Sequence, residues 1–189
     1  MKETLKKKNT AGFTLIELML VVLIIGILSG VMLGVLNIRG IQSKSRDARR
    51  IGDLKKLQTA LELYFADYRG YPKQITWGNV TGGVGSIISP NYINKVPTDP
   101  KEGTAAVDTG GVGVSCFNGK SNYGYYYITT DCTGTGCTLS GRYVMGAIVE
   151  VSSSAADSLC SSLSNCSGGS PAISCNCGGS YCYGVENPL

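Results

Sequence analysis

The sequence predicts an α+β protein: a long N-terminal helix, transmembrane in its first half and amphipathic in its second, packed on a small antiparallel sheet with a disulfide-rich C-terminal loop region. Three observations predict it. Residues 13–38 hold 19 apolar residues in 26 and a single charge, Glu17. From 51 to 68 the apolar residues recur at three- and four-residue steps, the period of a helix with one buried face. All eight Cys fall between Cys116 and Cys182, in a stretch poor in large aliphatics.

The first twelve residues, MKETLKKKNTAG, set Lys2, Lys6, Lys7 and Lys8 against Glu3, a short basic leader of the kind that stays in the cytoplasm. A secretory signal would place its small residues after the apolar run. Here Ala11 and Gly12 precede it, so a cut after Gly12 retains the helix. As a helix, residues 13–38 reach about 39 Å, enough to cross a hydrocarbon core of about 30 Å. An ionised Glu17 inside such a span costs about 2–3 kcal/mol at the helix centre and less near an end, so it needs a partner. Cleavage supplies one: the new amine on Phe13 lies four residues away on the same face, cationic below a pKa of about 8. Glu17 then pairs with its own amine or with that of a neighbouring copy; the bland alternative is a carboxylate that snorkels to the interface. Gly26, Gly30 and Gly34 share one face. Two readings of them stay open: close helix packing in lipid, or a weakened stretch that extends inside an assembly.

Gly12-Phe13-Thr14-Leu15-Ile16-Glu17, after a Lys-rich leader and before an apolar helix, resembles the processing and assembly motif of type IV pilins and pseudopilins. The resemblance implies that a membrane peptidase, the prepilin peptidase, cuts after Gly12 and methylates Phe13. It further implies that Glu17 pairs with the amine of an adjacent subunit, and that an inner-membrane assembly platform builds the filament. Many members kink this helix with a Pro, but here the first Pro is Pro72.

Without an intervening Pro, residues 13–69 predict one helix of more than fifty residues, stopped by Gly70 and Pro72. In its second half, residues 39–69, the stripe Ile51, Leu54, Leu57, Leu61, Tyr64, Phe65 and Tyr68 faces a core, with Arg46, Arg49, Arg50, Asp53, Lys55 and Lys56 largely between. Lys and Arg number four in 1–12 but seven in 39–56, which taken alone puts the C-terminal side in the cytoplasm. The Cys-dense region argues the reverse, since disulfides belong to oxidising compartments. The basic run is then a helix face that meets lipid headgroups or acidic neighbours.

The exported part, 70–189, has 20 Gly and only 22 Leu, Ile, Val and Phe, a thin core supplemented by bridges among Cys116, Cys132, Cys137, Cys160, Cys166, Cys175, Cys177 and Cys182. Eight Cys allow 105 pairings. Closeness in sequence favours Cys132 with Cys137 and Cys160 with Cys166, and at least one of Cys175, Cys177 and Cys182 reaches further back. A thiolate metal site at Cys175-x-Cys177 with Cys182 is the sharper alternative, set aside because export oxidises thiols. Residues 123–130 and 142–151 read as the two strands of a hairpin around the 131–141 loop, with 112–117 as a further strand. Residues 152–189 read as crosslinked loop with one helical turn near 155–163.

A second, looser resemblance covers this half. Tyr64-Phe65-Ala66-Asp67-Tyr68, Gly70-Tyr71-Pro72, Tyr92-Ile93, Val96-Pro97-Thr98-Asp99-Pro100 and Tyr143-Val144-Met145-Gly146-Ala147 follow an order similar to that of pilins and the major pseudopilins of type II secretion. Those pseudopilins hold calcium in an acidic loop after the Asp-Pro element. Here Lys101, Glu102 and Asp108 lead into a Cys-rich insertion, so no cofactor is expected, calcium being the one considered, and Asp99 reads as a turn cap.

The absence of His excludes His-based acid–base catalysis, and no nucleophile motif stands out. No enzyme is expected. The net charge of +4 divides into +3 for 1–12, −1 at Glu17, +4 for 39–69 and −2 beyond, so the exported part is not a basic nucleic-acid surface and no direct nucleic-acid binding is expected. The chain reads as a structural subunit of a type IV pilus, held as a single-pass precursor in the bacterial inner membrane with its N-terminus cytoplasmic. Its partners are membrane lipid before assembly, then copies of itself and related pilins. Two alternatives stand beside this: a major-type pseudopilin of a type II secretion or DNA-uptake system, in a periplasmic filament, and a signal-anchored disulfide-rich binding module.

Overall fold

The computed structural model describes residues 12–35, 38–108, 111–131, 136–152, 160–167, 175 and 181–188. Two compact units divide it, Met1–Ile38 and Arg39–Leu189. In the first, α1 runs Leu15–Val35, and its apolar side chains are exposed on every side through Val31. Among the described residues no helix meets a conventional length-and-hydropathy criterion for crossing a membrane. The continuity expected of one helix over 13–69 rests on residues 36 and 37, which lie outside the described residues.

In the second unit, α2 (Ile38–Tyr68) turns Leu54, Leu57, Ala60, Leu61 and Tyr64 inward. Its end is set one residue before the expected Gly70: Arg69 takes a left-handed φ of 56° and donates its N–H to the Phe65 carbonyl at 2.8 Å. There follow β1 (Tyr71–Pro72), β2 (Gly78–Asn79), α3 (Val84–Ile88), β3 (Tyr125–Thr129), β4 (Leu139–Ser140), β5 (Tyr143–Ile148), a 3-10 turn at Cys160–Ser162, α4 (Ser164–Ser167) and β6 (Cys182–Glu186). The main sheet is antiparallel in the order β2-β3-β5-β6, and β1 pairs with β4 apart from it.

Every residue of β3 and β5 is buried, which requires that both faces of the sheet be covered. The two-residue period of a strand sorts them. Tyr125, Tyr127, Tyr143, Met145 and Ala147 join the α2 residues in one cluster. Tyr126, Ile128, Val144 and Ile148 join Trp77, Phe117, Val114 and Cys182 in the other. Phe117 lies so close to the sheet that a Cβ on Gly146 would stand 2.6 Å from its ring tip. The aromatic core carries its hydroxyls to carboxylates of α2: Tyr125 donates to Asp53 at 3.0 Å, Tyr71 and Tyr143 to Glu62 at 2.9 and 3.2 Å, and Tyr92 to Asp67 at 2.7 Å.

Two expectations need correction. Residues 112–117 form only isolated bridges, Val107 with Gly113 and Cys116 with Lys120, because the chain turns back through left-handed Phe117 and Asn118. The C-terminal region is not all loop, since Cys182–Glu186 adds a full strand beside β5, in register Gly184 to Gly146. The helical turn expected near 155–163 falls largely outside the described residues, of which Cys160–Ser162 forms the 3-10 turn.

Candidate assembly site

Gly12 and Phe13 are exposed, Phe13 at 87%, and residues 1–11 of the leader lie outside the described residues. Thr14 precedes the first turn of α1. Its N–H and its hydroxyl both donate to Glu17 Oε2, at 2.9 and 2.7 Å, and the Glu17 N–H donates to Thr14 Oγ1 at 3.4 Å. This reciprocal pair is a capping box, which satisfies backbone donors that a helix start leaves free. The sequence reading gave Glu17 an amine partner and missed this nearer one, although Thr-x-x-Glu ahead of an apolar run is its signature. On α1, a Cβ added at Gly26 or Gly30 would meet nothing within 4 Å. The surroundings of Gly34 lie outside the described residues.

The second unit holds a charge cluster that sequence reasoning did not find. Arg50, placed there on a helix face that meets lipid headgroups or acidic neighbours, is 0% exposed. Its Nε and Nη2 donate to the two oxygens of Asp99 at 2.7 and 2.9 Å, and its Nη1 donates to Asp47 at 2.7 Å and to Glu150 at 2.9 Å. Glu150 also receives Arg46 at 2.6 and 2.7 Å, Lys101 at 3.1 Å and the Ser43 hydroxyl at 3.1 Å. Asp47 accepts the N–H groups of Glu150 and Val151 at 2.9 and 3.0 Å. The Arg50 guanidinium lies 4.5 Å from the centre of the Tyr123 ring. Three cations thus meet three carboxylates, and backbone N–H groups add to Asp47 and Asp99.

Burial works against the Arg50 charge, but its hydrogen bonds to Asp99, Glu150 and Asp47, with the negative charge of Asp99, outweigh it and raise its pKa further. For Glu150 burial is again the largest influence and opposes ionisation. Arg46, Arg50 and Lys101 together overcome it and hold the carboxyl at about 2. Arg46, Arg50 and Glu150 stay charged across the physiological range, which suits attachment rather than proton transfer. It ties α2 to the Asp99 turn, to Tyr123 and to the end of β5.

Asp99 also accepts the Lys101 N–H at 2.7 Å, the turn cap expected, while its oxygens face Arg50. Glu102 accepts Thr81 and Asn79, and Asp108 accepts the Val112 N–H. Among the described residues no group of three His, Cys, Asp or Glu is arranged to hold a metal ion. The bridges correct one pairing by proximity, Cys160 with Cys166; the other, Cys132 with Cys137, involves a residue outside the described ones. Cys160 bonds Cys182, 22 residues on, and Cys166 bonds Cys175. These pairings also remove Cys175 and Cys182 from the thiolate alternative. Cys116 and Cys137 are disulfide-bonded as well; Cys132 and Cys177 lie outside the described residues.

Residues 7–33 match the family model of the prokaryotic N-terminal methylation motif, a span that contains Gly12, Phe13 and Glu17. The type II secretion system core protein G of Pseudomonas aeruginosa is 34% identical over 51% of this chain and 71% of its own length. The chain belongs to the type IV pilin and pseudopilin family. Core protein G of Vibrio cholerae is 32% identical over 50% of this chain and 68% of its own length. That of Klebsiella michiganensis is 30% identical over 51% and 71%. No solved structure matches. Membership makes the chain a pilin-like filament subunit, and each of these alignments leaves about half of it unmatched.

Proposed function

We propose that the chain is a pseudopilin, cut after Gly12, held in the inner membrane by α1 and then drawn into a periplasmic filament of a type II secretion system. The observation that carries this reading is the likeness to secretion core protein G, extending well beyond the methylation motif. It reverses the order in which pilus and pseudopilus were ranked from sequence. Membrane anchoring is supported by α1 itself. Although the conventional criterion for a span is not met, the residues weigh more: its 21 residues carry one charge, and from Leu15 to Val31 they expose aliphatic side chains all round, a surface with no place in water. Its rise of about 31 Å matches a hydrocarbon core of about 30 Å.

Assembly then moves α1 from lipid into a bundle of like helices, where Glu17 meets the amine of a neighbouring Phe13. A subunit out of position leaves a carboxylate in an apolar setting without a counter-charge, a penalty of several kcal/mol by general estimates for buried ions. Identical subunits joined head to tail without closure give an open filament. The second reading, a surface pilus, is favoured by the disulfide-braced C-terminal region, suited to an exposed fibre. The test is a deletion strain complemented with a tagged chain. Loss of protein secretion on deletion, with the tag in short periplasmic filaments, is expected; long surface fibres made mainly of this chain assign it to a pilus. In the same strain Gly12→Glu leaves an uncut precursor, and mass spectrometry finding a mature Phe13 terminus in that variant removes the processing step.

A further inference from the structure

The solvent side of α2 has a layout that the filament reading does not use. Lys44 and Lys55, three helical turns apart, lie along one edge, and Arg49 and Lys56, two turns apart, along the other. All four are exposed, Arg49 and Lys56 at 59% and 68% of their side chains. Between the edges stand only small residues, Ser45, Ala48 and Gly52, and a Cβ at Gly52 would meet nothing within 4 Å. One carboxylate, the buried Asp53, serves Arg49 and Lys56 at 3.5 and 2.9 Å, and three positive charges remain unbalanced.

A second copy of the chain offers carboxylates that keep their charge but are already oriented by hydrogen bonds within their own subunit. Each described carboxylate outside the buried cluster already has a partner: Glu17 has Thr14, Asp53 has Lys56, Glu62 has Tyr71, and Asp67 has Tyr92. Glu102 accepts Thr81, Asp108 and Asp131 accept loop N–H groups, and Glu186 accepts the N–H groups of Ser164 and Asn165. The other anionic surface within reach is the one in which α1 is held. Lys44 follows Val35 by nine residues, at most about 32 Å of chain. Two rails of cations around a flat, small-residue centre suit a plane of anionic headgroups, which basic side chains approach end-on while the backbone comes close.

We infer that this face of α2 binds anionic phospholipid headgroups at the membrane surface before assembly, holding the exported unit down until it is drawn into the filament. The inference rests on the membrane-held precursor proposed above. Three unbalanced charges give a preference for an anionic over a neutral surface on the order of a hundredfold at low salt, lost as salt rises.

The test uses the full-length chain reconstituted into vesicles of phosphatidylcholine, with or without phosphatidylglycerol, and amine-reactive footprinting read by mass spectrometry. Labelling of Lys44, Lys55 and Lys56 is expected to fall at least about fivefold with phosphatidylglycerol and to recover in high salt, while exposed Lys95 stays unchanged. Equal labelling in both vesicles overturns the inference and leaves the subunit reading intact. Failure of the chain to float with either vesicle overturns the membrane-held precursor, and this inference with it. Protection of the same lysines in lipid-free filaments but not in vesicles identifies a second copy as the occupant and also overturns it.

Discussion

Glu17 has two claims on its carboxylate, one intramolecular and one intermolecular, and they separate by substitution. Glu17→Gln keeps an oxygen able to accept the Thr14 N–H but removes the charge, whereas Glu17→Ala removes both. If counter-charge drives assembly, both variants mature and insert yet give no filaments. Wild-type filament yield from Glu17→Gln would reduce the residue to a helix cap worth about 1 kcal/mol. Arg50 is the other decisive residue. Arg50→Ala strands Asp47, Asp99 and Glu150 in a water-poor site, and the second unit is expected to lose about 3–5 kcal/mol in denaturant unfolding. The acid response follows from Glu150, whose folded pKa of about 2 lies below its ordinary value of 4.5. A group depressed on folding stabilises above its ordinary value, so this contribution is whole above about pH 4.5 and fades as pH falls toward 2. A pH series of melting curves should show that decline, and Glu150→Gln should start lower and decline less over the same interval.

At the scale of elements, the contact of Phe117 with the sheet makes a sharper test than any single aliphatic. Gly146→Ala forces its new methyl into the Phe117 ring and is expected to cost about 1–3 kcal/mol; Phe117→Leu in that background should recover part of it. Full additivity of the two changes would show that they do not touch. The elements also show what a sequence discloses. The stripe Leu54, Leu57, Leu61 and Tyr64 on α2 was legible because its period is that of a helix, and β3 and β5 because Tyr, Val and Ile crowd there. β6 was not, since Cys-Tyr-Gly-Val-Glu sits among Ser, Gly and Cys, and what makes it a strand is pairing with β5, 38 residues away at Gly146 and Gly184. Arg50 was misplaced for a related reason. Its three carboxylates lie 3, 49 and 100 residues off, so only Asp47 fell within the range that helix spacing reads. A usable sign was present: Asp47, Arg50, Leu54 and Leu57 share one helix face, and a charge pair inside an apolar stripe calls for a partner.

Across the whole chain, the scarcity of Leu, Ile, Val and Phe after residue 70 is offset by two means, disulfides and tyrosines whose rings are buried and whose hydroxyls are paired. Reduction should therefore lower the melting temperature of the second unit; each of the two described bridges corresponds to about 2–4 kcal/mol. Hydrogen exchange should show β6 loosening before β3 and β5, because Cys182 opens that edge strand. Unchanged melting after full reduction would return the whole stability to packing.

The tyrosine hydroxyls have a mechanical consequence. Asp53, Glu62 and Asp67 span fourteen residues of α2, about 21 Å of its axis, and each is held by a phenol from the body of the unit. Contacts spaced along an axis act in parallel against a pull directed along it: sliding by one turn, about 5.4 Å, breaks them together and not one after another. Tension carried along α2 would then be borne as shear across a row of bonds, the loading geometry in which short bonds resist best.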